Sequence, residues 1–159
     1  MYVKLCIIRS VIMAELKILV LNGPNLNLTG LREPHIYGSM TLDMINNNLA
    51  QAAEALNAKL DFFQSNHEGA IVDRIQQAYG VYDGIVINPA AYTHTSIAIL
   101  DALKAVSIPA VEVHISNVDA RESFRQISYA GMYCEKTIKG QGIDGYRQAI
   151  LYLKEKYDL

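Results

Sequence analysis

The chain has 159 residues, a length typical of one domain that can bury a core without disulfides or a bound metal. Hydrophobic residues make up 51% and charged residues 19% of the sequence, which excludes an intrinsically disordered chain. The 14 basic and 16 acidic residues give a net charge of −2, so we expect no nucleic acid and no membrane as partners.

The N-terminal segment indicates an extension that precedes the fold. Lys4 and Arg9 flank a short apolar stretch, as in a signal peptide, but no cleavage site of small residues follows it. We therefore expect residues 1–13 to be an extension and residues 14–159 to form a single domain, with a signal peptide as the alternative. The two cysteines form no C-x-x-C pair, and no apolar run reaches the roughly 18 residues of a membrane span, so we expect a cytoplasmic protein.

Strand and helix patterns alternate along the rest of the chain. In chain order, the pattern predicts a strand at 17–22, a helix at 42–57 with Thr41 as its N-cap, a strand at 59–66, a helix at 68–80, a strand at 84–89, a helix at 94–106, a strand at 110–116, a helix at 120–130, a strand at 133–139 and a helix at 142–157. Strands that alternate with helices of about 10–15 residues imply a parallel sheet. Five such strands predict a flavodoxin-like three-layer α/β sandwich.

The loops after the strands exclude several functions, because ligands of such sheets bind beyond the carboxyl ends of the strands. The first loop has neither G-x-G-x-x-G nor G-x-x-x-x-G-K-[ST], so no dinucleotide or P-loop site is expected. Asn88 stands where a phosphorylated receiver domain needs an aspartate. There is no H-E-x-x-H metal motif and no G-x-S-x-G nucleophile motif. What remains is a pocket without metal or cofactor.

The first loop is a candidate lid. About sixteen residues separate the strand from the helix, a length typical of lids and binding loops. Arg32 and Tyr37 lie in this loop between Gly30 and Gly38, which could act as hinges. A solvated turn is the alternative.

The fourth strand and the segment after it carry further candidates. Glu112 and His114 alternate with apolar residues and so point to one face of the strand, where the glutamate could fix the tautomer of the histidine. A histidine bonded to the backbone is the alternative. Arg121 and Arg125 follow at helical spacing, either as ligand-binding groups or as a solvated basic face. The whole set of Asn, His, Arg and Tyr suits a small polyhydroxylated acid.

Four segments together resemble the type II 3-dehydroquinate dehydratases. They are LNGPNLNLTGLREPHIYG at 21–38, NPAAYTHTSIAILDAL at 88–103, EVHISNVDARESFR at 112–125 and GQGIDGY at 140–146. The resemblance runs from about residue 16 to the C-terminus. It implies a lyase of the shikimate pathway that converts 3-dehydroquinate to 3-dehydroshikimate through an enolate, without a metal, a cofactor or a Schiff base. Residues 14–159 would then be one catalytic domain.

The resemblance also implies roles for individual residues. Tyr37, paired with Arg32, would be the base, and Asn25 would hold a water at the enolate oxygen. His114, oriented by Glu112, would protonate the departing hydroxyl. The substrate-binding residues would be Asn88, His94, Asp101, Ile115, Ser116 and Arg125.

Asp101 implies an oligomer. It follows His94 by seven residues on the predicted helix, or roughly 10 Å, so we expect it to reach the site of a neighbouring subunit. This agrees with the homododecamer of the family, which is built from trimers.

The alternative to the lyase is a flavodoxin-like binding or regulatory protein that kept the pocket without the chemistry.

Overall fold

The computed structural model describes residues 15–31 and 39–157. Its regular elements, in chain order, are β1 (Leu16–Asn22), α1 (Leu42–Glu54), β2 (Ala58–Gln64), α2 (Glu68–Gln77), β3 (Gly84–Asn88), α3 (Ile97–Val106), β4 (Ala110–His114), β5 (Lys136–Lys139) and α4 (Asp144–Tyr157). The strands of this part of the chain form one parallel sheet in the order β2-β1-β3-β4-β5. This is the flavodoxin-like order, so the predicted fold class is confirmed.

Both faces of the sheet are covered by helices. Ile18 and Val20 of β1 pack in one core with apolar residues of α1 and α4. Leu19 and Leu21 pack in the other core with residues of α2 and α3. Burial on both faces explains why β1 is a continuous apolar run rather than an alternating one.

Side-chain caps set the starts of α1 and α3. Thr41 accepts a hydrogen bond from the Met44 N–H, as predicted, at 3.3 Å. Ser96 accepts from the Ile99 N–H at 3.0 Å and has extended backbone angles, so α3 begins only after it. His94 lies before this cap, in a separate 3₁₀ turn, Ala90–His94. The prediction of one helix over 94–106 was therefore wrong, and the estimate of the spacing to Asp101 along one helix no longer applies.

The predicted helix at 120–130 was also wrong. The segment forms short 3₁₀ turns, Val118–Ala120, Ser123–Arg125 and Ala130–Met132. The side chain of Asn117 accepts from the Asp119 N–H, and Gln126 Nε2 donates to the Arg121 carbonyl. Side chains thus form hydrogen bonds with backbone groups that would bond to one another in an α-helix. Phe124 and Ile127 are exposed, which leaves this segment without the buried apolar face of an amphipathic helix.

The fifth strand begins later than predicted. The N–H groups of Tyr133 and Cys134 both donate to the Ala130 carbonyl, so these residues belong to a turn. Pairing with β4 begins when the Glu135 N–H donates to the Ala110 carbonyl. β5 lies at the edge of the sheet, which accounts for its polar composition.

Some predictions fall outside the described residues. These are the extension at 1–13 and the lid residues Arg32, Tyr37 and Gly38. Among the helices of residues 15–31 and 39–157, none is long and apolar enough to cross a membrane.

Candidate active site

A cleft of about 210 Å³ lies beyond the carboxyl ends of β1, β3 and β4. The order of the strands reverses at β1 and β3, which is where ligands bind in this fold. Asn22 and Asn88 are paired in register at the two strand ends, so both following loops leave the sheet side by side. The described residues that line the cleft are Pro24, Asn25, Leu26, Thr29, Asn88, Ala90, Ala91, His94, His114, Ile115, Ser116, Val118, Arg121 and Arg125.

The cleft brings together most of the residues that the sequence predicted for substrate binding and catalysis. Among the described residues, its lining does not include Glu112, which lies behind His114, or Asp101, which is exposed on α3. Arg32 and Tyr37 lie outside the described residues.

Glu112 and His114 form a buried pair on one face of β4, as their alternation predicted. His114 Nε2 lies 2.9 Å from Glu112 Oε1. The glutamate is 0% exposed and the histidine 4%. A carboxylate without water contact requires hydrogen-bond donors from the protein.

The additional donors are hydroxyl groups that the sequence analysis missed. Ser128 Oγ lies 2.8 Å from Glu112 Oε1 and 2.9 Å from Oε2, and Thr137 Oγ1 donates to Oε2 at 3.0 Å. Thr93 Oγ1 donates to Oε1. Burial favours the neutral acid, but hydrogen bonds from His114, Thr93 and Ser128 and the charge of His114 lower the Glu112 pKa to about 2. Glu112 is therefore a carboxylate at neutral pH.

The charge of Glu112 determines which nitrogen of His114 holds a proton. An ionised carboxylate only accepts hydrogen bonds, so Nε2 carries a hydrogen directed at Glu112. Nδ1 is then the ring atom that can exchange a proton with a molecule in the cleft. The pair has the arrangement of a general acid and its orienting carboxylate.

His94 is oriented in a similar way by the backbone. Its Nδ1 lies 2.7 Å from the Ile127 carbonyl oxygen, which only accepts, so Nδ1 is the protonated nitrogen. Nε2 of the neutral ring can then accept a hydrogen bond from a ligand hydroxyl. The alternative of a backbone partner for His114 is therefore wrong, because His114 is bonded to Glu112, whereas His94 has a backbone partner.

Tyr146 links the ends of β1 and β3 by hydrogen bonds below the cleft. Its hydroxyl donates to Asn22 Oδ1 at 2.6 Å and accepts from Asn88 Nδ2 at 2.8 Å. Asn88 Oδ1 in turn accepts from the Ala90 N–H at 3.2 Å. Burial raises the Tyr146 pKa, so its hydroxyl remains protonated. Tyr146 belongs to the GQGIDGY segment of the family resemblance, but no sequence pattern indicated its role.

The other end of the cleft contains cationic and backbone groups. Arg125 Nε donates to Glu122 at 2.9 Å, and Arg121 also lines the cleft. The carbonyls of Ile115 and Ser116 accept from Gly142 at 3.0 Å and Gly140 at 3.2 Å, which fixes the backbone after β4. Guanidinium groups beside an ordered backbone can bind a carboxylate.

Asn25 completes the cleft on the side of β1. It has a left-handed conformation with φ 67°, which asparagine adopts more readily than most residues. Its N–H donates to Asn66 Oδ1 at 2.8 Å, so the loop after β2 supports the loop after β1.

The described residues give little support for metal or thiol chemistry. They contain no group of three or more His, Cys, Asp or Glu side chains placed to hold a metal ion. Burial raises the pKa of the Cys134 thiol, which makes it a poor nucleophile.

Comparison with known proteins identifies the family. The family described as "Dehydroquinase class II" matches residues 16–154. The "3-dehydroquinate dehydratase" of Helicobacter hepaticus is 54% identical over 137 residues, which cover 86% of this chain and 87% of that protein. A "Catabolic 3-dehydroquinase" of Aspergillus clavatus is 58% identical over 146 residues, covering 89% of this chain and 97% of that protein.

A solved structure agrees with this assignment. The type II dehydroquinase of Butyrivibrio crossotus superposes with a TM-score of 0.85 at 52% identity, covering 87% of this chain and 97% of that one. The resemblance of the four sequence segments is thus confirmed, and the chain belongs to the class II dehydroquinase family.

Proposed function

We propose that this chain converts 3-dehydroquinate to 3-dehydroshikimate in the shikimate pathway. The reaction proceeds through an enolate, without a metal, a cofactor or a Schiff base. The observation that carries the proposal is the buried Glu112–His114 pair, whose imidazole lines a cleft at the switch point of a chain of this family. Among the described residues that line the cleft, none is a lysine, which a Schiff base would need.

The first step is proton abstraction by Tyr37. Its tyrosinate takes the proton from the carbon next to the ketone, and the electron pair forms the enolate. A tyrosine pKa near 10 must fall to about 7, at a cost of about 4 kcal/mol, and the Arg32 guanidinium supplies the compensating charge. Asn25 holds a water that stabilises the enolate oxygen. The resemblance to the family supports these roles.

The second step is loss of water. The enolate re-forms the ketone, the carbon–oxygen bond breaks, and His114 gives its proton to the departing hydroxyl. The ionised Glu112 stabilises the imidazolium before this transfer. One proton has then moved to Tyr37 and one has left His114, so solvent exchange restores both groups.

Substrate binding uses the rest of the cleft. Asn88 and His94 bind hydroxyl groups, while the substrate carboxylate lies against the Ile115 and Ser116 backbone, with Arg125 beside it. The positions of all five at the cleft support this assignment.

We further propose a cytoplasmic homododecamer built from trimers, with neither nucleic acid nor a membrane as partner. Asp101 is exposed on α3 and, within the described residues, is not part of the lining of its own cleft. It is therefore available to complete the site of a neighbouring subunit.

The test is direct. Mixing micromolar protein with 3-dehydroquinate should give the ultraviolet absorbance of the conjugated enone product, and pretreatment with borohydride and substrate should leave activity intact. Binding without any absorbance change would refute the lyase and favour a ligand-binding protein. Inactivation coupled to covalent mass addition would refute the mechanism without a Schiff base.

A further inference from the structure

We propose that Ser128 is a positioning residue that keeps the acid pair, Glu112 and His114, aligned with the substrate-binding His94. This inference rests on the proposed function. Among the described residues, the lining of the cleft does not include Ser128, so the residue acts through others.

The direction of the Ser128 hydroxyl proton follows from its contacts. Its oxygen accepts the Gly131 N–H at 2.8 Å. Thr93 Oγ1 also lies 2.8 Å from the Ser128 oxygen, but the charged carboxylate of Glu112 is the stronger acceptor, so the Ser128 hydrogen is directed at Glu112. The two carboxylate oxygens lie 2.8 and 2.9 Å from it, so a single hydroxyl bridges both. A donor placed across a carboxylate resists its rotation, and the orientation of Glu112 sets that of His114.

The neighbours of Ser128 bind the other half of the site. The Ile127 carbonyl accepts from His94 Nδ1 at 2.7 Å. The Tyr129 N–H donates to the Thr93 carbonyl at 2.7 Å. Three consecutive residues thus contact His94, Glu112 of the acid pair and Thr93 in the turn that carries His94. The segment 127–129 therefore fixes the distance between His94, which binds a substrate hydroxyl, and His114, which protonates the departing hydroxyl.

The consequence is a specific kinetic effect. The Ser128 side chain touches the orienting carboxylate, whereas the contact with His94 is made by the Ile127 backbone. Removing the hydroxyl should therefore disturb proton transfer and leave binding nearly intact. We expect Ser128→Ala to lower kcat about 10- to 100-fold while KM changes less than about 3-fold.

The experiment compares four proteins in steady-state assays with 3-dehydroquinate. They are the full chain, Ser128→Ala, Ser128→Cys and the matched control Ser123→Ala. Ser123 is exposed on the same segment and should have unchanged constants. The cysteine variant fills the space but donates weakly, so it should lose kcat as the alanine does. Thermal melting shows whether each variant folds. If Ser128→Ala does not fold, the kcat of Ser128→Cys tests the positioning role instead.

The possible outcomes distinguish the positioning role of Ser128 from the lyase function of the chain. A folded Ser128→Ala or Ser128→Cys variant with kcat within about 3-fold of the full chain would overturn the positioning role. A rise in KM at constant kcat would overturn it as well, because the residue would then serve ground-state binding. An inactive full chain would instead refute the lyase function itself.

Discussion

Gly131 lies directly against the carboxylate of Glu112. A Cβ at position 131 would lie 2.7 Å from Glu112 Oε2 and 2.7 Å from Ser128 Oγ. Neither atom can move easily, because His114 and Thr137 hold the carboxylate from other sides. The position therefore requires glycine for space.

The first prediction is that Gly131→Ala damages both stability and turnover. Overpacking should cost about 1–3 kcal/mol in the free energy of unfolding, and the displaced carboxylate should lower kcat. Gly69→Ala is the control, because a Cβ there would have no described atom within 4 Å apart from its chain neighbours and the backbone of its own helix, and alanine favours a helix. Thermal melts and rate assays would measure both. Wild-type values for Gly131→Ala would contradict the close contact.

The second prediction concerns the pH dependence of stability. The Glu112 pKa is lowered to about 2 in the fold from an ordinary value of 4.5, so the unfolded chain takes up this proton first. The carboxylate thus stabilises the fold above about pH 4.5 by about 3 kcal/mol, and this contribution is lost as the pH falls towards 2.

Glu112→Gln isolates that contribution. The difference in unfolding free energy between wild type and variant should shrink as the pH falls from 5 to 2, since all other carboxyl groups are common to both. A difference that does not depend on pH would contradict the lowered pKa. The variant should also lose most of its kcat.

The third prediction concerns Tyr146→Phe. Loss of the hydroxyl leaves the amides of Asn22 and Asn88 short of a partner, which should cost about 1–3 kcal/mol in unfolding free energy. KM should rise, because Asn88 lines the cleft. Tyr79→Phe, at a tyrosine 73% exposed, is the control and should change neither quantity. Denaturant titration and steady-state kinetics provide the measurements.

The fourth prediction concerns the base. Tyr37→Phe keeps the ring but removes the ionisable oxygen, so turnover should fall by orders of magnitude while binding persists. Arg32→Ala should lower turnover and shift the acidic limb of the pH–rate profile to higher pH, because the tyrosinate loses its cation and the tyrosine pKa rises. A Tyr37→Phe variant that keeps more than about a tenth of the activity would exclude this tyrosine as the base.

The fifth prediction concerns assembly. Sedimentation should show a species far larger than the 17.7 kDa chain, with a dodecamer as the expected state. Asp101→Ala should weaken substrate binding or loosen the trimer while each subunit stays folded, whereas Lys104→Ala, exposed on the same helix, should do neither. A fully active monomer would rule out a shared site.

Local periodicity was sufficient for the sheet and for the acid pair. The contact between Glu112 and His114 follows from their alternation along one strand, and the parallel pairing of the strands follows from their alternation with helices. The family segments located the remaining residues of the cleft.

The support of the acid pair could not be predicted in this way. Thr93 lies in a 3₁₀ turn and Ser128 in an irregular segment, and tertiary packing sets their approach to Glu112, so no sequence period marks them. The segment 120–130 shows the opposite failure, because Phe124 and Ile127 lie at helical spacing yet are exposed. A periodic pattern predicts a helix only where another element covers its apolar face.

The pairing of β4 with its neighbours has a last consequence. Glu112 lies opposite Ile87 in β3 and Thr137 in β5, so the alignment of three strands directs the acid pair towards its hydroxyl donors. Side chains alternate between the two faces of a strand. A slip of one residue would therefore bring Val111 and Val113 to the face that now carries Glu112 and His114, and would bury Glu112 and His114 in the core between the sheet and helices α1 and α4. A single inserted residue at the start of β4 should thus abolish catalysis even if the backbone ladder survived. In this protein the chemistry is encoded in strand alignment as much as in residue identity.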